Sequence, residues 1–198
     1  MLERKISHDE NITPRLIENL EGKGKIADLA INEIEEDDVI FLDISSTNYV
    51  IANKLNSIDK RLTVITNMNK IAMEFDSNQS IKVICIGGTY NKKLGGTIGT
   101  KAIDDIKNYI VDKAFIGVGG LNAVDNYISN FNLEEAKTKA EIIKCSKKNY
   151  VVMENSKFLS DGSYKFSKLE DIDVIVTDRN IDESILEVLI NKEITVLV

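Results

Sequence analysis

The feature that most constrains this chain is an alternation. Seven short runs rich in Val and Ile, at 39–44, 62–66, 81–86, 113–118, 150–153, 174–176 and 194–198, are separated by segments whose apolar residues recur at helical spacing. The runs are nearly continuous rather than interleaved with polar residues, as expected of strands buried on both faces. The intervening segments repeat at i, i+3, i+4 and i+7. Segment 25–35 carries Ile26, Ala30, Ile31 and Ile34, and segment 47–55 carries Val50, Ile51 and Leu55. Segment 97–110 carries Ile98, Ala102, Ile103, Ile106 and Ile110; segment 133–147 carries Leu133, Ala136, Ala140 and Ile143. Segment 181–190 carries Ile181, Ile185, Leu186 and Leu189. This order predicts an α/β fold: an open, mainly parallel sheet with helices on both faces. Leu94-Gly95-Gly96, soon after Gly87-Gly88, is expected to close a hairpin or loop.

Residues 1–22 are polar and weakly patterned around the only proline, Pro14. They read as a linker or arm with a short helix near 15–20, leaving 23–198 as one domain. At 43% apolar, that length supports a core without metal or disulfide staples. The 25 Lys and Arg against 32 Asp and Glu give a net charge of −7, which argues against this segment gripping nucleic acid unaided. The single histidine, His8, excludes a multi-His metal site and disfavours a His-centred triad. Cys85 and Cys145 are far apart, with neither zinc spacing nor a disulfide framework, which fits a reducing cytoplasm. No apolar run approaches ~20 residues and the first five residues lack a signal-peptide core, so neither membrane insertion nor export is expected. No cofactor or metal is implied.

In a parallel sheet, residues just past each strand gather at one edge, and ligands bind there. That edge collects Asp43-Ile44-Ser45-Ser46-Thr47, Thr66-Asn67, Gly87-Gly88, Gly117-Val118-Gly119-Gly120, Glu154-Asn155-Ser156-Lys157 and Thr177-Asp178. Three consecutive hydroxyls opening a helix suit an anion, because free N–H groups point outward there. Plain N-capping by Ser or Thr explains the same residues. Lys157 fits either a phosphate counter-charge or a solvated loop lysine. The glycine run is only part of a dinucleotide fingerprint, and a tight strand-to-loop turn accounts for it equally. Glu135 and Lys139, four apart on a helix, form at least an i,i+4 ion pair.

Taken together these residues resemble the C-terminal effector-sensing domain of DeoR-type bacterial regulators of sugar metabolism. Phe41-Leu42-Asp43-Ile44-Ser45-Ser46-Thr47 stands where that family has F-L-D-S-G-T-T, and Leu62-Thr63-Val64-Ile65-Thr66-Asn67 matches L-T-V-x-T-N. Ile86-Gly87-Gly88, Asp112-Lys113-Ala114-Phe115-Ile116-Gly117, Glu134-Glu135-Ala136 with Lys139, Ser156-Lys157-Phe158 and Thr177-Asp178 follow in the family's order. Ile44 and Ser45 depart from its Ser and Gly, Glu154-Asn155 from its D-S, and Tyr127 from a common Gly.

The resemblance implies a sugar-phosphate isomerase-like fold that binds a phosphorylated sugar. Ser45, Ser46, Thr47 and Lys157 would hold the phosphate, and Asp43, Asn67, Gly88, Gly120, Glu135 and Lys139 would line or support the pocket. It implies a homodimer or homotetramer that contacts DNA only through a separate or missing N-terminal winged helix-turn-helix. The chain is then a fragment of a longer protein or a natural short form. The alternative is a sugar-phosphate isomerase or deaminase-like enzyme. The isomerase's D-G-A-D-E step and the histidine of the deaminase's G-H-I-A-F-N step have no counterpart here, which leaves Asp43, Glu135 and Asp161 as candidate acid–base groups. A plain oligomerisation module is a third reading, and it gives Ser45-Ser46-Thr47 and Lys157 no shared purpose.

Overall fold

The structure, a computed structural model, describes residues 4–6 and 10–198; His8 lies outside the described residues. Within them β1 (Lys5–Ile6) and α1 (Ile12–Arg15) precede α2 (Leu20–Asn32), β2 (Val39–Leu42), α3 (Ser46–Leu55), β3 (Leu62–Thr66), α4 (Asn69–Glu74) and β4 (Ile81–Cys85). A hairpin of β5 (Thr89–Asn91) and β6 (Gly96–Ile98) leads to α5 (Thr100–Ile106) and β7 (Val111–Ile116). A second hairpin, β8 (Gly120–Asn122) and β9 (Tyr127–Asn130), leads to α6 (Leu133–Lys144) and β10 (Ser146–Val152). Then come β11 (Ser160–Asp161), β12 (Tyr164–Ser167), β13 (Val174–Val176), α7 (Glu183–Asn191) and β14 (Thr195–Leu197).

The seven Val/Ile-rich runs are the seven strands of one sheet, in the order β14-β13-β10-β7-β2-β3-β4. Every neighbouring pair in it is parallel. Burial on both faces explains the unbroken apolar runs: Ile40 and Leu42 pack into one core, and Phe41 between them packs into the other. The first core receives Ile26 and Ala27 of α2, Ile51 and Ala52 of α3 and Ile71 of α4. The second receives Ala102 of α5, Ile142 of α6 and Leu189 of α7. Each such Ile or Leu side chain contributes about 1.5–3 kcal/mol by leaving water and each Ala methyl under about 1 kcal/mol, so a polar substitution on either face is destabilising.

Element boundaries moved where local chemistry overrode periodicity. The 97–110 segment yields a shorter α5, because Gly96–Ile98 pairs in the hairpin and Gly99, at φ +90, precedes the helix. The 25–35 helix begins earlier, at Leu20, behind the cap Asn19, although Gly22 and Gly24 weaken helical propensity there. The short helix expected near 15–20 is α1, upstream, followed by turns. Leu94-Gly95-Gly96 does close a hairpin, with Gly95 at φ +70. The small sheet β12-β9-β8 was not legible, since its strands are three or four residues long and carry no period.

Arg4 ties the N-terminal segment to this small sheet. It makes a bidentate pair with Asp161 (2.8 and 2.7 Å) and donates to the carbonyls of Leu121 (3.0 Å), Ser160 (2.7 Å) and Phe158. The guanidinium holds the Asp161 carboxyl below the usual carboxylate range. No helix among the described residues is long and apolar enough to cross a membrane.

Candidate functional site

Chain order places the site. The strands run from β2 outward through β3 to β4, then return to β7 on the other side of β2 and continue outward through β10, β13 and β14. The direction of progression therefore reverses between β2 and β7. At such a switch point the loops past the two strands splay apart and leave a crevice. A cavity of about 240 Å³ lies there, lined by Ile44, Ser45, Ser46 and Thr47 after β2, Gly117 and Val118 after β7, and Val152, Met153 and Glu154 at the end of β10. Asn130, Glu135, Lys139, Ser156 and Lys157 complete its walls, with Arg15, Glu18 and Lys23 from the N-terminal helices.

One wall is a closed charge network. Asp43 is fully buried and accepts from the Gly117 N–H (3.1 and 3.2 Å), from Asn48 Nδ2 (2.8 Å) and from Lys139 Nζ (2.5 Å). Lys139 also donates to the Ile44 carbonyl (3.1 Å) and pairs with Glu135 (3.3 Å). Asn48 Nδ2 bonds the Phe115 carbonyl as well (2.7 Å), so the ends of β2 and β7 are stitched together. Burial pushes the Asp43 carboxyl up to about 6, against the pull of Lys139 and the Gly117 amide. Gly117 is required here, because a Cβ would stand 2.2 Å from that of Ser45.

The next wall is the first turn of α3. Ser45 is its N-cap, its hydroxyl accepting from the Asn48 N–H at 2.9 Å. The hydroxyls and N–H groups of Ser46 and Thr47 have no partner among the described residues. The neighbours thus differ: Ser45 caps the helix, while Ser46 and Thr47 keep uncommitted donors on the cavity wall.

The N-terminal helices and the β10 loop close the remainder. Lys23, 1% exposed, donates to the carbonyls of Arg15 (2.5 Å) and Glu18 (2.6 Å) and lies 3.7 Å from Glu154. Glu154 accepts from Asn19 Nδ2 at 2.7 Å. Arg15 lies over the Phe131 ring, 5.7 Å from its centroid, and donates to the Asn11 and Glu10 carbonyls. Lys157 sits on the short 3-10 helix Asn155–Leu159. It is half-buried; its backbone N–H donates to the Glu154 carbonyl (2.9 Å), and its ammonium has no hydrogen-bond or ion-pair partner among the described residues. Burial lowers its pKa, only partly offset by Glu154.

Six of the ten residues expected at the site line the cavity: Ser45, Ser46, Thr47, Glu135, Lys139 and Lys157. Asp43 lies directly behind them. The other three are not in the lining. Asn67 is tied to the β6 hairpin through Thr97, Nδ2 to carbonyl at 3.0 Å. Gly88, at φ +145, abuts Ala102 and the Ile98 carbonyl, and Gly120 packs so tightly on β11 that a Cβ would stand 1.9 Å from the Ser160 carbonyl oxygen. These three shape the loops around the crevice rather than its surface. Asp161 is also absent from the lining, being held by Arg4 and the Tyr127 hydroxyl. Sequence reasoning missed Arg15, Glu18, Lys23 and Asn130. Lys23 looks like any helix-surface lysine until tertiary packing buries it, and no motif marks Asn130.

Comparison with known proteins bears on this geometry. Residues 18–179 match the family described as the DeoR C terminal sensor domain. The chain is 31% identical over 178 residues to the HTH-type transcriptional repressor GlcR of Bacillus subtilis, covering 90% of this chain and 67% of that protein. It is 26% identical over 187 residues to the glycerol-3-phosphate regulon repressor of Escherichia coli, covering 94% and 71%. Among solved structures, ribose 5-phosphate isomerase A of Methanocaldococcus jannaschii superposes with a TM-score of 0.51 at 17% identity, over 71% of this chain and 54% of that one. The chain thus spans about half the isomerase's length, and that likeness speaks to the fold alone.

Proposed function

The chain belongs to the family of DeoR C terminal sensor domains, whose curated relatives include transcriptional repressors, and on that premise we propose that its switch-point cavity binds a phosphorylated sugar or related phosphate ester. The phosphate sits on the first turn of α3, taking the N–H groups and hydroxyls of Ser46 and Thr47, with Lys157 as counter-charge. The observation that carries this reading is the pairing, in one cavity, of the uncommitted Ser46 and Thr47 donors with a half-buried lysine whose ammonium has no hydrogen-bond or ion-pair partner among the described residues. Ser45 supports the turn as its cap, and Asp43, Glu135 and Lys139 hold the cavity's shape.

The site binds without reacting. General acid–base chemistry needs a carboxylate free to exchange a proton with the sugar. Asp43 and Glu135 are both paired with Lys139, and Asp161 is held by Arg4. Binding favours one arrangement of a homodimer or homotetramer through differential affinity. That change is read out on DNA by a separate winged helix-turn-helix, in the cytoplasm. The curated relatives named as helix-turn-helix regulators extend beyond the matched region, which supports this division of labour.

Calorimetry tests the proposal with inorganic phosphate, glycerol 3-phosphate, ribose 5-phosphate, glucose 6-phosphate and fructose 6-phosphate. Binding that weakens in both Ser46→Ala and Lys157→Ala is expected. Binding untouched by either substitution removes the phosphate assignment. Turnover of ribose 5-phosphate would favour the isomerase reading instead.

A further inference from the structure

Asn130 is 3% exposed, lines the cavity, and carries an Nδ2 donor with no hydrogen-bond partner among the described residues. Leaving a buried amide donor unpaired costs about 1–3 kcal/mol, so such a group is ordinarily satisfied by something. Among the described residues four other buried side-chain atoms are also unpartnered: Asn48 Oδ1, Asn67 Oδ1, Asn149 Oδ1 and Thr177 Oγ1. None of those residues lines the cavity. The three asparagines among them already use their Nδ2 groups on the protein. Asn130 differs because it is the donor that is idle, and because it borders the cavity.

Its position is rigid. β9 is hydrogen-bonded to β8 on one side and to β12 on the other, where Asn130 pairs with Tyr164. Two glycines admit its backbone closely. A Cβ on Gly162 would stand 2.3 Å from the Asn130 carbonyl carbon, and one on Gly119 would stand 3.2 Å from its Cα. The main chain that carries the amide is thus held from both neighbouring strands and by both glycines. It also belongs to the small sheet, whereas the α3 turn follows β2 of the central sheet.

Resting on the phosphate reading above, we propose that Asn130 is a specificity-determining residue whose Nδ2 donates to a hydroxyl or carbonyl oxygen in the non-phosphate part of the ligand. The phosphate anchors on α3 and Lys157. Asn130 then discriminates among phosphate esters, because an ester lacking an oxygen at that point leaves the donor unpaired.

The test compares wild type with Asn130→Leu, Asn130→Ala and Asn130→Asp, titrated by calorimetry with inorganic phosphate and with the same four esters. At least one ester is expected to bind wild type more tightly than inorganic phosphate. Asn130→Leu and Asn130→Ala should weaken that ester about tenfold, the scale of one hydrogen bond, and leave inorganic phosphate within about twofold. Asn130→Asp should weaken the ester at least as much, since it replaces the donor with an acceptor. Thermal melts separate this role from a structural one: Asn130→Leu, close in size, should melt no lower than wild type without ligand. The inference is overturned if phosphate and ester weaken equally, if Asn130→Asp keeps the ester, if no ester exceeds phosphate, or if Asn130→Leu melts lower while ester binding holds. If wild type binds neither phosphate nor any ester, the phosphate reading itself fails, a result distinct from all of these.

Discussion

Lys139 and Lys157 reach the same cavity from different walls, and they differ in what holds them. Lys139 is buried with Asp43 and Glu135 and also bonds the Ile44 carbonyl, so its charge is answered within the protein. Lys157 has no such partner, and burial disfavours its charge. The same contrast runs through the hydroxyls, where Ser45 is spent on the helix cap while Ser46 and Thr47 are not. Identical chemistry therefore serves two ends. A satisfied buried group shapes the site, and on the proposed reading an unsatisfied one is left for the ligand.

The contrast makes unequal predictions, and the largest falls on the satisfied wall. Lys139→Ala strips the charge partner from Asp43 and Glu135 together. Breaking a buried pair from one side costs about 3–5 kcal/mol, so a large drop in denaturant midpoint is expected; a midpoint near wild type would show that the network is not structural. On the other wall, Lys157→Ala should leave the midpoint within error or raise it, while weakening phosphate esters about 10- to 100-fold, the scale of a charge-assisted hydrogen bond. A variant that loses stability but keeps ester affinity would reverse the contrast.

The pH dependence of stability sharpens the comparison. Because burial lifts the Asp43 carboxyl to about 6 from its ordinary value of 3.8, the folded chain holds that proton where the unfolded chain has released it. The stability it contributes is full below about pH 4 and is lost as pH rises through about 6. The difference in unfolding free energy between wild type and Asp43→Asn should accordingly shrink from pH 4 to 6 and then stay flat. A difference flat across the whole range would mean that Lys139 keeps the carboxylate ionised throughout. The smallest effect belongs to Ser46→Ala, expected to weaken ester binding only a few-fold because the turn's N–H groups and the Thr47 hydroxyl still hold the phosphate, with the midpoint unchanged.

How much of this was legible in the sequence depends on the range of the interaction involved. All seven strands of the central sheet were visible, since burial on both faces writes itself into every residue of a run such as Ile40, Phe41 and Leu42. The caps and hydroxyls past β2 were visible too, because helix termination is local. The edge residues were read less evenly. Ser46, Thr47 and Lys157 reach the cavity, but Asn67, Gly88 and Gly120 serve loop packing. Being past a strand places a residue at the edge without saying which way it turns.

The sequence by itself determined the fold class, the strand set and the sheet edge where the cavity lies, because those follow from burial periodicity and chain direction. Tertiary structure alone decided that the order reverses between β2 and β7, that Lys23 is buried against Arg15 and Glu18, and that Asn130 stands clamped between Gly119 and Gly162 with an idle donor. The physical reason is that whether a polar group is satisfied depends on partners distant along the chain. Lys139 meets Asp43 across 96 residues, while the Lys157 ammonium has no hydrogen-bond or ion-pair partner among the described residues.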